Sequence, residues 1–447
     1  MNTLAEFPYT NILILGLAKS GTASAKILLE HGMRVRINDM NSEDENIQQL
    51  REMGADIIVG SHPLSVLDGM EIVVKNPGIP YDNPIVKEAE KRNIPIVTEI
   101  ELAYYLTNGD IIGITGSNGK TTTTTLIYEM LAESKKPVKL GGNIGIAASE
   151  TARETKKGEW LVLELSSFQL QGIERFKPKI SVLINLFEAH LDYHKTFENY
   201  TNAKFNIVKN QTETDYFVYN YDDESIVNEL AAVKAKLVPF SVRHRLEDGA
   251  WATEESIYFK NEKVMDRKDI VLVGEHNLEN ILAAVAAVKL SGGTNEGIQT
   301  VLKKFSGVKH RLQFVDKVNG RLFYNDSKAT NMLATQKALR SFQQPVILLA
   351  GGLDRGNEFT DLLPYLKHVK GMVVFGETKD KLIKLAKEAD IEHVKSVKNV
   401  REAVGEAYAF SEEGDVILLS PACASWDQYR TFEERGDMFI QAVHKLK

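Results

Sequence analysis

Along most of this chain a short apolar run rich in β-branched residues meets a glycine-containing turn and then a longer stretch of helical period. That alternation restricts the fold to parallel α/β layers, because two parallel neighbouring strands need a crossover segment between them. The first unit is a strand at 11–15, the turn GLAKSG at 16–21 and a helix over 22–30, with the next strand at 35–38. Strands at 57–59 and 72–74 precede the turn signal NPGIP at 76–80, and a first domain closes near Thr98. A second series has strands at 111–114, 161–165, 180–184 and 216–219. Between 241 and 273 polar and apolar residues alternate without helical period, which predicts a β-rich excursion. An Ala-rich helix over 281–290 is interrupted by SGGT, and the next boundary falls at 305–307. Strands at 346–350, 372–375 and 416–419 then make a third α/β domain, a count that 447 residues allow.

Composition narrows the function. With 54 Lys+Arg against 61 Asp+Glu there is no chain-wide basic field for nucleic acid or an anionic membrane. Any anionic ligand must be met by local groups. The single cysteine, Cys423, forms no intramolecular disulfide, and the N-terminal residues lack signal-peptide character, so a reducing cytoplasm is the expected compartment. The apolar runs are strand length, too short to cross a bilayer.

The strongest local signal is Thr115-Gly116-Ser117-Asn118-Gly119-Lys120-Thr121-Thr122, directly after an apolar strand and before a helix. Glycines let the backbone aim N–H groups at phosphate oxygens, the helix N-terminus adds a positive dipole end, and Lys120 supplies a compact charge. Thr121 is positioned to reach magnesium through its hydroxyl. The spacing is a variant, since the first glycine of the standard loop falls at Ile114. A glycine-rich turn that only caps a helix is the plainer alternative, and strand, turn, Lys and Thr together weigh against it. The earlier turn, Gly16-Leu17-Ala18-Lys19-Ser20-Gly21, with Asp39 ending the next strand, fits a nucleotide-diphosphate site. Ala18 replaces the middle glycine of the dinucleotide pattern, and a purely structural tight turn fits equally well.

Glu164 ends a strand downstream of the phosphate loop, where a magnesium ligand is expected. Asn185, Glu188, His190 and Asp192 cluster after the following strand; alone, His190 is better explained as an ordinary loop histidine, and proximity to the expected ATP-magnesium site reverses that preference. Lys204 lies in a predicted helix, where a solvated surface lysine is the normal expectation. Asn277 and Asn280 share one face at the start of the Ala-rich helix, as caps or as amides offered to a base. In the last third, polar clusters at strand ends contain His310-Arg311, Asn325 to Asn331, Gly351 to Arg355 and Ser420 to Asp427.

Taken in order, GSNGKTTT, GGNIG, ELSSFQL, HLD, the Asn-Ala-Lys ending at Lys204, EHNLEN, HRL, NDSKATN and SPACASWDQY resemble the Mur ligase family over essentially the whole chain. The last two are similar to the branch that adds D-glutamate; the DNPR sequence of the diaminopimelate-adding branch is absent. The resemblance implies an α/β fold of three domains: a Rossmann-like N-terminal domain (1–98) for the UDP-linked substrate, a central P-loop-type ATPase domain (99–306), and a Rossmann-like C-terminal domain (307–447) for the amino acid. It implies an ATP-dependent, acyl-phosphate-forming ligase that joins D-glutamate to UDP-N-acetylmuramoyl-L-alanine for peptidoglycan synthesis, acting as a monomer without nucleic-acid or membrane partners. Residues 116–122 (Gly116, Ser117, Asn118, Gly119, Lys120, Thr121 and Thr122) would hold ATP phosphates, with Asn277 and Asn280 at adenine and Arg311, Asp326 and Lys328 at ribose or phosphate. Thr121 and Glu164 would hold one magnesium; His190 and Lys204, the latter carbamylated, a second. Gly16, Leu17, Ala18, Lys19, Ser20, Asp39, Asn143 and His190 would meet the uridine-linked substrate, and Thr330, Arg355, Ser425, Trp426 and Phe432 the D-glutamate. Lys120, Glu164, His190 and Lys204 would be the catalytic group. Arg355 stands where some relatives have lysine.

Overall fold

Alternation of side chains across each strand puts apolar groups on both faces of three sheets, the condition under which helices cover both sides. The computed structural model describes residues 4–41, 46–272 and 274–446. They divide into two compact units, Met1–Lys304 and Phe305–Lys447. In the first sheet β1 (Asn11–Leu15), β2 (Arg34–Asp39), β3 (Asp56–Val59), β4 (Ile72–Lys75) and β5 (Ile96–Val97) lie in the order β3-β2-β1-β4-β5. All neighbours are parallel. Ile12, Ile14, Ile37, Ile72 and Val74 join one core, while Leu13, Leu15 and Val73 face another. The crossing from β1 to β4 is where strand order reverses, the place such sheets keep for ligands.

The second sheet contains β6 (Asp110–Thr115), β7 (Val138–Gly142), β8 (Trp160–Glu164), β9 (Ile180–Leu183), β10 (Tyr216–Asn220), β11 (Lys236–Ser241), β12 (Ala250–Ala252), β13 (Ser256–Phe259) and β14 (Glu262–Asp266). Its order is β14-β13-β12-β11-β10-β9-β6-β8-β7. Only β12-β13 and β13-β14 are antiparallel, so the stretch after 241 adds a meander to the sheet edge; Val273, the last residue of that expected excursion, lies outside the described residues. The segment following Thr98 is tied to this sheet's surroundings: Thr98 Oγ1 donates to Gln169 O at 2.7 Å, and the buried Glu101 carboxylate accepts backbone N–H groups of Glu174, Arg175 and Phe176. Those bonds explain why the first two sheets belong to one compact unit.

The other unit carries β15 (Gln313–Val318), β16 (Arg321–Asn325), β17 (Val346–Gly351), β18 (Val369–Phe375), β19 (His393–Ser396) and β20 (Val416–Leu419), ordered β15-β16-β20-β17-β18-β19. Only the β15-β16 hairpin is antiparallel. Val346, Leu348 and Ala350 pack on one face and Ile347 and Leu349 on the other, as a doubly covered strand requires. The first helix begins earlier than the apolar period indicates, at Lys19 rather than 22, because a first turn is held by backbone bonding before its apolar face starts; the Ala-rich helix begins at Glu275, with Asn277 and Asn280 near its start as expected. Among the described residues no helix is long and apolar enough to cross a membrane.

Candidate active site

β6 ends in loop 116–119, and the helix Lys120–Glu133 starts immediately after it. Gly119 has φ 80°, and a Cβ there would overlap the Asn280 amide, so the loop needs glycine on both counts. Lys120 Nζ folds back to donate to Gly116 O at 2.7 Å and Ser117 O at 3.4 Å. Lys204, on the helix Phe197–Phe205, donates from Nζ to the same Gly116 carbonyl at 2.8 Å and to Thr115 Oγ1 at 3.4 Å. Its side chain is buried, 1% exposed, which corrects the surface-lysine expectation of the helix context. Burial, and then the nearby Lys120 charge, hold this amine well below the ordinary lysine range.

Glu164 pairs in register with Ile114, two residues before Gly116, so it sits at the carboxyl end of the sheet next to the strand that feeds the loop. Oε1 accepts from Asn143 Nδ2 at 2.8 Å, and Oε2 is buried with no hydrogen-bond partner. An orphaned carboxylate oxygen next to a phosphate-type loop is a fitting ligand for a hard cation. Among the described residues no three His, Cys, Asp or Glu side chains form a ready-made metal cluster, so other oxygens would have to complete a coordination shell.

Residues 185–187 clasp the loop: Asn185 O and Oδ1 accept from Ser117 N (3.0 Å) and Asn118 N (2.9 Å). Tyr200 Oη donates to Ser117 Oγ at 2.9 Å, and its ring lies 4.8 Å from Lys204 Nζ. His190 is exposed, in left-handed backbone conformation at φ 56°, with its ring 5.0 Å from Phe168 and 6.4 Å from Tyr200. The buried His194 bonds Ser167 Oγ at 2.9 Å, and burial followed by the charges of His190 and Lys204 pushes it down to about 4. Gly274 takes the N-cap of the helix Glu275–Leu290; Asn277 and Asn280 are buried side by side, 3.4 Å apart, and Asn280 Oδ1 accepts from Thr123 Oγ1 at 3.4 Å.

At the first glycine turn, Asp39 Oδ2 accepts from Leu17 N at 2.6 Å and Oδ1 from Asn41 N at 2.6 Å, so this carboxylate shapes the turn itself. Ala18 is the helix N-cap; Ser20 Oγ accepts from Asn76 Nδ2 at 3.2 Å, and Lys19 Nζ donates to Gly145 O of the GGNIG loop. The turn and Asn143 are therefore linked through one loop.

In the Phe305–Lys447 unit Asp326 accepts from Leu312 N at 3.1 Å and Ser420 Oγ at 2.9 Å, and burial pushes its carboxyl up to about 7. Arg311 is the cation that partly offsets that shift. Lys328 Nζ lies 5.4 Å from the Phe432 ring, and the exposed Arg355 guanidinium 5.1 Å from the Trp426 ring. Thr330 is half-buried, and Ser425 Oγ is buried without a partner. One residue that sequence reasoning missed ties these loops together. Arg435 is fully buried and donates to Ser327 Oγ (3.0 Å), Ser327 O (2.9 Å), Cys423 O (3.0 Å) and Gly351 O (3.4 Å). Nothing in its helical context distinguishes it from a solvated arginine.

A family model described as the Mur ligase MurD-like N-terminal domain matches residues 10–98, the Mur ligase middle domain 114–288, and the Mur ligase glutamate ligase domain 310–423. A protein of Oceanobacillus iheyensis named UDP-N-acetylmuramoylalanine--D-glutamate ligase is 59% identical over 449 residues, covering 100% of both chains. A Bacillus subtilis protein of the same name is 58% identical over 441 residues, 98% of each. Among solved structures, the UDP-N-acetylmuramate-alanine ligase MurC of Thermotoga maritima has TM-score 0.56 at 19% identity, covering 98% of this chain and 100% of that one. The MurF ligase of Thermotoga maritima in complex with ADP has TM-score 0.56 at 18% identity, covering 100% and 98%. These two likenesses establish the shared three-domain fold, while the family matches and full-length identities establish descent: the chain belongs to the Mur ligase family.

Proposed function

We propose that this chain is the ATP-dependent ligase that joins D-glutamate to UDP-N-acetylmuramoyl-L-alanine, releasing ADP and phosphate in cytoplasmic peptidoglycan precursor synthesis, as a monomer. The observation that carries the reading is the convergence of Lys120 and Lys204 on the Gly116 carbonyl, with the unpartnered Glu164 oxygen at the same end of the sheet. The full-length identity to proteins named for this reaction supports the choice of amino acid.

A carboxylate is a poor electrophile, so ATP first phosphorylates the terminal alanine carboxylate to an acyl phosphate. Residues 116–122 hold the triphosphate by backbone N–H groups and the helix N-terminus, and Lys120 neutralises charge on the transferring phosphoryl group. Thr121 and Glu164 would hold one magnesium and His190 and Lys204 a second; magnesium, when bound, would spread the phosphate charge. Burial and the Lys120 charge favour the neutral amine of Lys204, the form that adds to CO2 with release of a proton; the carbamate so formed would be an anionic oxygen ligand beside Lys120. Asn277 and Asn280 face adenine, and Arg311, Asp326 and Lys328 the ribose or phosphates. The turn 16–20, Asp39, Asn143 and His190 bind the uridine-linked substrate in the 1–98 and 99–306 domains. The D-glutamate amine attacks the acyl phosphate and phosphate leaves. Thr330, Arg355, Ser425, Trp426 and Phe432, in the 307–447 domain, hold D-glutamate for that attack.

Phosphate release with UDP-N-acetylmuramoyl-L-alanine and a panel of D- and L-amino acids tests the reading. Turnover is expected with D-glutamate and only when both co-substrates are present. Turnover with L-lysine or L-alanine instead, or ATP hydrolysis without co-substrates, overturns it.

A further inference from the structure

Lys75 ends β4, and its side chain is 1% exposed. Its Nζ donates to the carbonyl oxygens of Ile79 (2.6 Å), Asn76 (3.2 Å) and Pro77 (3.3 Å) and to Tyr193 Oη (3.2 Å). Tyr193 Oη donates in turn toward Ile79 O (3.1 Å) and Pro77 O (3.2 Å). The faces of Tyr81 and Tyr193 complete the surroundings, 4.9 and 5.9 Å from the amine. None of these partners is a carboxylate, and burial pulls the amine down to about 7. A methionine would fill the volume without the cost of desolvating an amine, so packing alone does not account for lysine here.

What the amine organises is the NPGIP loop, and that loop has two neighbours. On one side Asn76 N donates to Leu15 O at 2.8 Å and Asn76 Nδ2 to Ser20 Oγ, while Asn76 Cβ and Ile79 Cδ1 fill the space a Cβ at Gly16 would need. On the other side Tyr193 follows His190 by three residues and packs edge-on against Phe168 at 4.6 Å, the ring that also meets His190. We propose that Lys75 is a positioning residue: it pins the NPGIP loop between the first glycine turn and the His190 segment, so that the uridine-diphosphate end of the substrate is held in register with the phosphoryl-transfer end. The assignment rests on the function proposed above.

Lys75→Met keeps the stem and removes the donors, and Tyr193→Phe removes one hydroxyl. Lys75→Met is expected to raise KM for UDP-N-acetylmuramoyl-L-alanine by about tenfold or more, the loss of a charged, buried donor. KM for D-glutamate and the affinity for ATP alone stay within about threefold. Tyr193→Phe gives a smaller rise, and the double variant less than the product of the two, because both groups share the Pro77 and Ile79 carbonyls. Amide exchange gives a second readout: in Lys75→Met the amides of Ile79 and of Tyr193 and His194 lose protection together, ahead of the β6 core. A folded Lys75→Met with unchanged KM for the uridine-linked substrate, or with exchange unchanged in either segment, overturns the proposal. If Lys75→Met does not fold, Tyr193→Phe decides by the same two readouts. Wild-type protein inactive with both co-substrates removes the proposed function instead, and the exchange result still judges the brace.

Discussion

Replacing Lys204 by methionine should separate stability from activity. The amine is buried, repelled by Lys120 and bonded chiefly to Gly116 O, which also accepts from Lys120 at 2.7 Å. Its removal therefore forfeits the hydrogen bond to Gly116 O, worth about 1 kcal/mol from a neutral amine and up to roughly 3 kcal/mol from a charged one, without orphaning the carbonyl. Against that loss stand the several kcal/mol that lysine costs here, whether as an ammonium desolvated beside Lys120 or as an amine that gives up its proton on folding. In CO2-free buffer without nucleotide, Lys204→Met is expected to be more stable than wild type by about 1–3 kcal/mol. At roughly 2–4 °C per kcal/mol in a domain of 150–250 residues, Tm rises by about 2–12 °C. Phosphate release falls by about 10³-fold, since the proposed carbamate cannot form. Bicarbonate with magnesium and ATP should then reverse the order, stabilising wild type and leaving the variant unchanged. Urea unfolding followed by circular dichroism, with and without bicarbonate, measures both arms. A variant less stable than wild type by more than about 1 kcal/mol in CO2-free buffer, beyond the usual effect of a neutral substitution, refutes the electrostatic reasoning.

Glu164→Gln keeps an acceptor for Asn143 and so should fold with stability within about 1 kcal/mol of wild type, while phosphate release drops about 10²–10³-fold; undiminished turnover would remove Glu164 from the chemistry. Gly119→Ala adds about 1–2 kcal/mol of left-handed strain and displaces Asn280, so both Tm and ATP affinity fall, and a second change, Asn280→Gly, recovers part of the Tm but not the ATP affinity. His194, held near 4 when folded and near its ordinary 6.5 unfolded, contributes stability fully present above about 6.5 and lost as pH falls toward 4, at about 1.4 kcal/mol per pH unit. Asp326, raised to about 7, contributes in the opposite sense, full below its unfolded value near 3.9 and lost as pH rises through 7; the stability difference between wild type and Asp326→Asn should change with that slope, and a flat difference would contradict it.

Much of the molecule was legible before any coordinates. β1, β6 and β20 fall where short apolar runs meet turns, and the loop 116–119 joins strand to helix as its glycines, Lys120 and Thr121 predict. These features are local: backbone conformation at a glycine, or the alternation of a strand, depends on residues a few positions apart. The less visible features depend on distance through space. Lys204 reaches Gly116 across 88 positions, Lys75 reaches Tyr193 across 118, and Arg435 reaches Ser327 across 108. In the sequence each is a basic residue indistinguishable from one in water.

The sequence by itself determined the alternation of strands and helices, the turns that need glycine and the residue types offered at strand ends, though it did not mark strands such as Val138–Gly142 and His393–Ser396. Only the tertiary structure decided which charges leave water and which atoms they then face. The physical reason is that desolvation and Coulomb energies depend on burial and on separations of a few ångströms, and both are set by packing between segments far apart along the chain.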